Sequence, residues 1–203
     1  MPDPKNIEIG SEIPSEGYCD QPYVVKLNDG GWLCLMTTGT GKEGDSGQHI
    51  VATRTYDRGQ TWSTLVDIEP ADGPEASWVM PLITPLGRVY AFYTYNAANM
   101  REVIADTDVY SEGKTSRVDT LGEYSFKYSD DDGLTWSERH TIPVREMEID
   151  WRNPYGGDVR FSGVSVNRCR TAASHTSGSP RWDGSGTALW LSLKGASCGL
   201  TTS

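Results

Sequence analysis

The chain has no apolar run long enough to cross a membrane. Its start, Met1-Pro2-Asp3-Pro4-Lys5, carries no hydrophobic leader, which gives a cytoplasmic expectation unless the N-terminus is incomplete. Basic side chains are few: 18 Lys and Arg stand against 28 Asp and Glu, a net charge of −10. No cluster of Lys and Arg exists to neutralise phosphates, so nucleic acid is not an expected partner. There are only four Cys, with no Cys-x-x-Cys and no metal-ligand spacing, so neither a metal nor a cofactor is expected. Cys19 and Cys34 flank a predicted turn at Asn28-Asp29-Gly30-Gly31 that would set Cys34 opposite about Val25. The two sulfurs would not face each other, and free thiols are expected.

Aromatic residues, by contrast, are plentiful, with seven Trp and ten Tyr. Two of the tryptophans close copies of one pattern. Thr55-Tyr56-Asp57-Arg58-Gly59-Gln60-Thr61-Trp62 and Ser129-Asp130-Asp131-Asp132-Gly133-Leu134-Thr135-Trp136 both fit Ser/Thr-x-Asp-x-Gly-x-Thr-Trp, 74 positions apart. Each copy separates two strand-like runs. Gly59 and Gly133 suit the positive φ of a tight connection, and Asp57 and Asp131 suit hydrogen bonding to the turn backbone. Trp62 and Trp136 are expected to return an apolar ring to the sheet. The doubled pattern predicts a repeated β-hairpin. The Asp130-Asp131-Asp132 run lacks the spacing and distal Glu of a calcium loop.

Strands are expected over 21–27, 32–38, 50–55 and 62–68, then over 77–84, 88–95, 124–129 and 136–142. Residues 96–123 form a long polar insertion, a length often functional. From Ser162 onward the composition changes. Twenty of the last 42 residues are Ser, Thr or Gly, and strand alternation persists only around 188–193. A disordered tail would have this composition. A shift of one nucleotide in the reading frame near Ser162 also explains it, because suitable wobble bases restore an alternating string ending in Leu-Arg-Ser-Asp-Asp. On that reading the tail was never selected to fold, and the chain is an inactive fragment of a longer parent.

The doubled pattern resembles the Asp-box of the sialidase (BNR-repeat) superfamily, over about residues 13–160. The resemblance implies an all-β fold, a partial six-bladed β-propeller. Blade one would span about 18–70, blade two about 75–143 and the start of a third 150–161, with an irregular tail over 162–203. In the family the Asp-box joins strands three and four of a blade, away from the substrate. The implied function is exo-acting glycoside hydrolysis of terminal sugars, with carbohydrate or glycoconjugate as partner. The alternative is a non-catalytic propeller that binds carbohydrate or protein.

Sialidases bind the substrate carboxylate with three arginines, the first in a Tyr-Arg-Ile-Pro-like motif. Here Tyr18-Cys19-Asp20-Gln21-Pro22 stands in that place, with Asp20 where arginine belongs. The family's acid/base aspartate lies in the loop before strand three. Asp45 matches it by neighbourhood, while His49 is the residue nearest the aligned position. The remaining family site residues fall beyond the matched region. Asp20, Gln48, Tyr95 and Asn96 are the expected substrate-binding residues, with Trp78 and Tyr95 able either to stack on a sugar or to fill the core. Asp45 also reads as a solvated loop carboxylate, and His49 as a hydrogen-bonded strand-edge histidine.

Overall fold

The computed structural model describes residues 6–152 apart from 117, 118 and 120, then 154, 155, 158 and 159, and the backbone of three strands between 166 and 200. A single 3-10 turn, Ile7–Ile9, precedes the first sheet.

That sheet is an antiparallel meander of β1 (Tyr18–Lys26), β2 (Trp32–Gly39), β3 (His49–Thr55) and β4 (Val66–Asp67). The second repeats the order with β5 (Ala76–Ile83), β6 (Val89–Tyr95), β9 (Glu123–Ser129) and β10 (His140–Thr141). Between β6 and β9 the insertion folds its own short hairpin, β7 (Val103–Ile104) with β8 (Lys114–Thr115). β5 lies across the first sheet and approaches β1, β2 and β3. These are two successive blades of an open β-propeller, and the two sheets do not close into a ring.

Period-two alternation sorts the side chains between the two faces of each sheet. Leu33, Leu35, Ile50 and Ala52 of the first sheet meet Val79, Val89, Ala91 and Tyr93 of the second in one buried core, joined by Leu27 and Ile68. The far face of the second sheet is aromatic. Phe92 and Met80 pack there with Tyr90, Tyr124 and Phe126, and Phe126 stacks on His140 with ring centroids 4.9 Å apart.

A buried ion cluster reinforces the junction of the sheets. Glu69, just beyond β4, accepts a 2.5 Å hydrogen bond from Tyr93 Oη, and Lys127 Nζ and Arg139 each stand 3.3 Å from the same oxygen. Burial and the Glu69 bond together push the Tyr93 hydroxyl pKa far up.

The two Ser/Thr-x-Asp-x-Gly-x-Thr-Trp turns share the same side-chain hydrogen bonds. Asp57 Oδ1 accepts from Thr55 Oγ1 at 2.7 Å and from Thr61 N at 2.9 Å, and Oδ2 accepts from Thr61 Oγ1 at 2.6 Å. Asp131 repeats these bonds with Ser129 and Thr135 at 2.7, 2.9 and 2.6 Å. Gly59 N and Gly133 N donate to the hydroxyls of Thr55 and Ser129. Positive φ falls on two consecutive residues in each copy: Arg58 (63°) with Gly59 (86°), and Asp132 (58°) with Gly133 (83°). Trp136 packs on the shared core, while Trp62 lies beside Gly59.

Several boundaries differ from expectation. The fourth strands are much shorter than 62–68 and 136–142. Ser63 Oγ accepts from Arg54 N at 3.0 Å and Ser137 Oγ from Tyr128 N at 3.0 Å, so a side chain occupies the strand-three donor that a ladder carbonyl would take. Pairing resumes only at Ala52 with Val66 and at Phe126 with His140. Cys34 faces Val24 rather than Val25, because the hairpin loop runs from Leu27 to Gly31 and sets Lys26 against Trp32. Cys19 and Cys34 are free thiols, and burial pushes Cys34 up to about 12.

A single helical turn, α1 (Glu148–Trp151), occupies the region where a third blade was expected to open. Farther on, where only 188–193 was expected to be a strand, the backbone pairs β11 (Val166–Cys169), β12 (Ala188–Leu193) and β13 (Ala196–Leu200). The rest of the expected tail lies outside the described residues.

Candidate functional site

Both first strands break at the same relative place. β1 shifts register between Asp20 and Tyr23, and β5 between Ser77 and Met80. Each bulge holds a non-glycine residue at positive φ, Gln21 at 48° and Trp78 at 64°. Such strain costs energy and collects at functional positions. These bulges lie opposite the ends of β2 and β6, at the end of the sheets away from the Asp-bearing turns. The loop 40–48 and the insertion leave the sheets at this end.

Around the second bulge a polar cluster joins four elements. Trp78 N donates to Thr37 Oγ1 of the first sheet at 3.0 Å, and Trp78 Nε1 donates to Asp119 of the insertion at 3.2 Å. Glu75, immediately before β5, is 2 % exposed and takes a 2.7 Å ion pair from Arg101 of the insertion. Arg101 also donates to Asn99 Oδ1 at 2.7 Å. Burial raises the Glu75 carboxyl from about 4.5 to about 7; Arg101 pulls it down and Asp119 pushes it up. A carboxyl titrating near neutrality beside a fixed cation is suited to proton exchange. None of Glu75, Arg101 and Asp119 was picked out from the sequence. Their only signal was position, at the start of an inner strand and at both ends of the long insertion.

The expected site residues sit at this same end but are spread out. Asp45 Oδ2 accepts from Lys42 N at 3.0 Å, closing its own loop. Gln48 is buried and donates to Lys42 O at 2.7 Å. His49 is buried, with Nε2 3.5 Å from Asp67 Oδ1 and 3.8 Å from Glu16 Oε2, both beyond good hydrogen-bond geometry. Asp20 is half-buried at the β1 bulge. Asn96 clamps Met100 through both its amide atoms, and Tyr95 lies in the shared core beneath the Arg139 guanidinium, 3.5 Å from its ring centroid. Gln48 and Asn96 therefore spend polar atoms on shaping the two loops. Among the described residues no group of three or more His, Cys, Asp or Glu is placed to hold a metal ion, and no helix is long and apolar enough to cross a membrane.

No family model matches the chain, and no curated protein matches it. Solved structures do. A Hadza microbial sialidase, Hz136, is 21 % identical with a TM-score of 0.42, covering 60 % of this chain and 25 % of its own. A Dyadobacter fermentans protein of unknown function is 12 % identical with a TM-score of 0.48, over 91 % of this chain and 54 % of that one. A point mutant of NanB sialidase from Streptococcus pneumoniae is 10 % identical with a TM-score of 0.49, over 92 % and 44 %. The chain thus spans a quarter to just over half of the length of these structures.

Proposed function

We propose that this chain supplies the first two blades of a sialidase-like, exo-acting glycoside hydrolase. The observation that carries the reading is the pair of Asp-box turns, whose side-chain hydrogen bonds match, each capping one four-stranded meander. At the opposite end, Asp45 is the residue proposed to donate a proton to the leaving oxygen, as glycoside cleavage requires. Asp20 is the proposed sugar contact beside it, with the buried Gln48, His49, Tyr95 and Asn96 proposed to shape the surrounding loops and strands. The nucleophile belongs to later blades, and we propose that the frame shift near Ser162 separates them from this chain.

A panel of fluorogenic glycosides, assayed with the polypeptide read in the restored downstream frame, tests this. Turnover that is lost on Asp45→Asn while binding persists supports it, and silence on every glycoside removes it. Two observations favour a second reading, a propeller that binds sugar or protein without cleaving it. Asp45 already accepts the Lys42 amide, and Asp20 brings negative charge where the family places an arginine. Binding without turnover on any substrate selects that reading.

A further inference from the structure

A cleft of about 430 Å³ opens beside the second sheet. Its walls come from both ends of the insertion, from Thr141 and Ile142 at the edge of the sheet, and from Asp158 and Val159. The volume falls within the range of small-ligand sites. The walls are held in place without a ligand. Val103 and Leu121 form a buried pair that Met100, Tyr155 and Val159 cover, and the Asn96 amide fixes Met100 by two hydrogen bonds. Tyr155 Oη, in turn, accepts from Ile104 N at 2.9 Å, tying the segment after α1 to the insertion hairpin.

The chemistry of the lining is one-sided. Met100, Leu121, Ile142 and Val159 make an apolar surface, while Glu123 and Asp158 bring exposed carboxylates. Among the described residues no Lys, Arg or His lines the cleft. Carboxylates accept hydrogen bonds from hydroxyls, and apolar walls cover the C–H face of a ring. A ligand that carries its own carboxylate would meet two like charges, with no cation among the described lining residues to offset them.

We propose that this cleft binds a saccharide ring rich in hydroxyls and free of negative charge, and that it discriminates against carboxylate-bearing sugars. The proposal rests on the carbohydrate reading above; the cleft shares Asn96 with that reading, but neither Asp45 nor Asp20 is among its described lining.

Calorimetric titration of the full chain with methyl β-glucoside and with glucuronic acid at pH 7 tests it. The glucoside is expected to bind at least tenfold more tightly. Ala97→Trp, at an exposed position in the lining, should fill the cleft and abolish binding. Glu123→Gln with Asp158→Asn should narrow the preference by raising the relative affinity for the acid. Circular dichroism of each variant, matched to the parent, separates blocked binding from misfolding. Equal affinity for the acid overturns the proposal, as does the absence of glucoside binding. Glucoside binding that survives Ala97→Trp also overturns it, while leaving a hydrolase centred on Asp45 to be judged by the turnover assay alone.

Discussion

The α-carbon of Gly133 lies against the side chain of Leu33, so that a Cβ built there would stand 2.7 Å from Leu33 Cδ1. The turn of the second blade thereby touches the core strand of the first. At the matching position of the first blade, Gly59, the nearest neighbours of an added Cβ would be the Trp62 and Trp32 rings, at 3.5 and 3.7 Å. Both glycines hold positive φ. Gly59→Ala should therefore cost about 1–2 kcal/mol from backbone strain alone. Gly133→Ala should add overpacking to the same strain and cost about 2–5 kcal/mol in total. Urea denaturation midpoints compare the two, and equal losses would contradict the contact.

The two turn aspartates make stability acid-sensitive. Hydrogen bonds from the Thr61 side chain and backbone, with Thr55, hold Asp57 down at about 2 from its usual 3.8. Partial burial of Asp131 opposes the same bonds from Thr135 and Ser129, and the net shift is again downward. A depressed folded pKa contributes stability above the unfolded value that is lost as pH falls through the folded one. Melting temperature should drop between about pH 4 and pH 2, and the drop should shrink in Asp57→Ala and Asp131→Ala.

Glu75 acts with the opposite sign. Its folded pKa is raised, so its contribution is complete below about 4.5 and is lost as pH rises to about 7. Glu75→Gln should flatten that part of the stability profile between pH 5 and pH 8. Denaturation at half-unit steps would show it, and an unchanged slope would contradict it.

Two ties hold the insertion against β5, Arg101 to Glu75 and Asp119 to Trp78. Local opening should follow when either is cut. Trypsin should cleave after Lys114 several-fold faster in Asp119→Ala and in Arg101→Ala than in the parent. Equal rates would show that the hairpin Val103–Ile104 with Lys114–Thr115 is held by other means.

Glu69 is a buried carboxylate shared by Tyr93, Lys127 and Arg139. Glu69→Ala should leave this group of donors facing one another and cost about 3–5 kcal/mol. A loss below about 1 kcal/mol, read from denaturant midpoints, would place the stability of this junction in its apolar contacts instead.

The sequence by itself determined the Asp-bearing turns, the strands flanking them and the two-blade order. Those signals are local: a leading Ser or Thr hydroxyl, an aspartate, a glycine amide and a threonine within seven positions satisfy one another, and alternation marks a strand wherever it falls. It did not reveal that Ser63 and Ser137 cut the outer ladders short, though a serine follows each tryptophan, because the same serine is equally at home in an exposed strand. Glu75, Arg101 and Asp119 were illegible for a different reason. They are separated by 26 and 18 positions, and a carboxylate becomes a near-neutral acid only when folding strips its water and sets a guanidinium beside it. Asp45, prominent in the sequence, closes its own loop for the converse reason: the nearest amide donor was three residues away. Tertiary structure alone decided which acids are solvated and which are buried, because desolvation depends on what packs over a group and not on what precedes it in the chain.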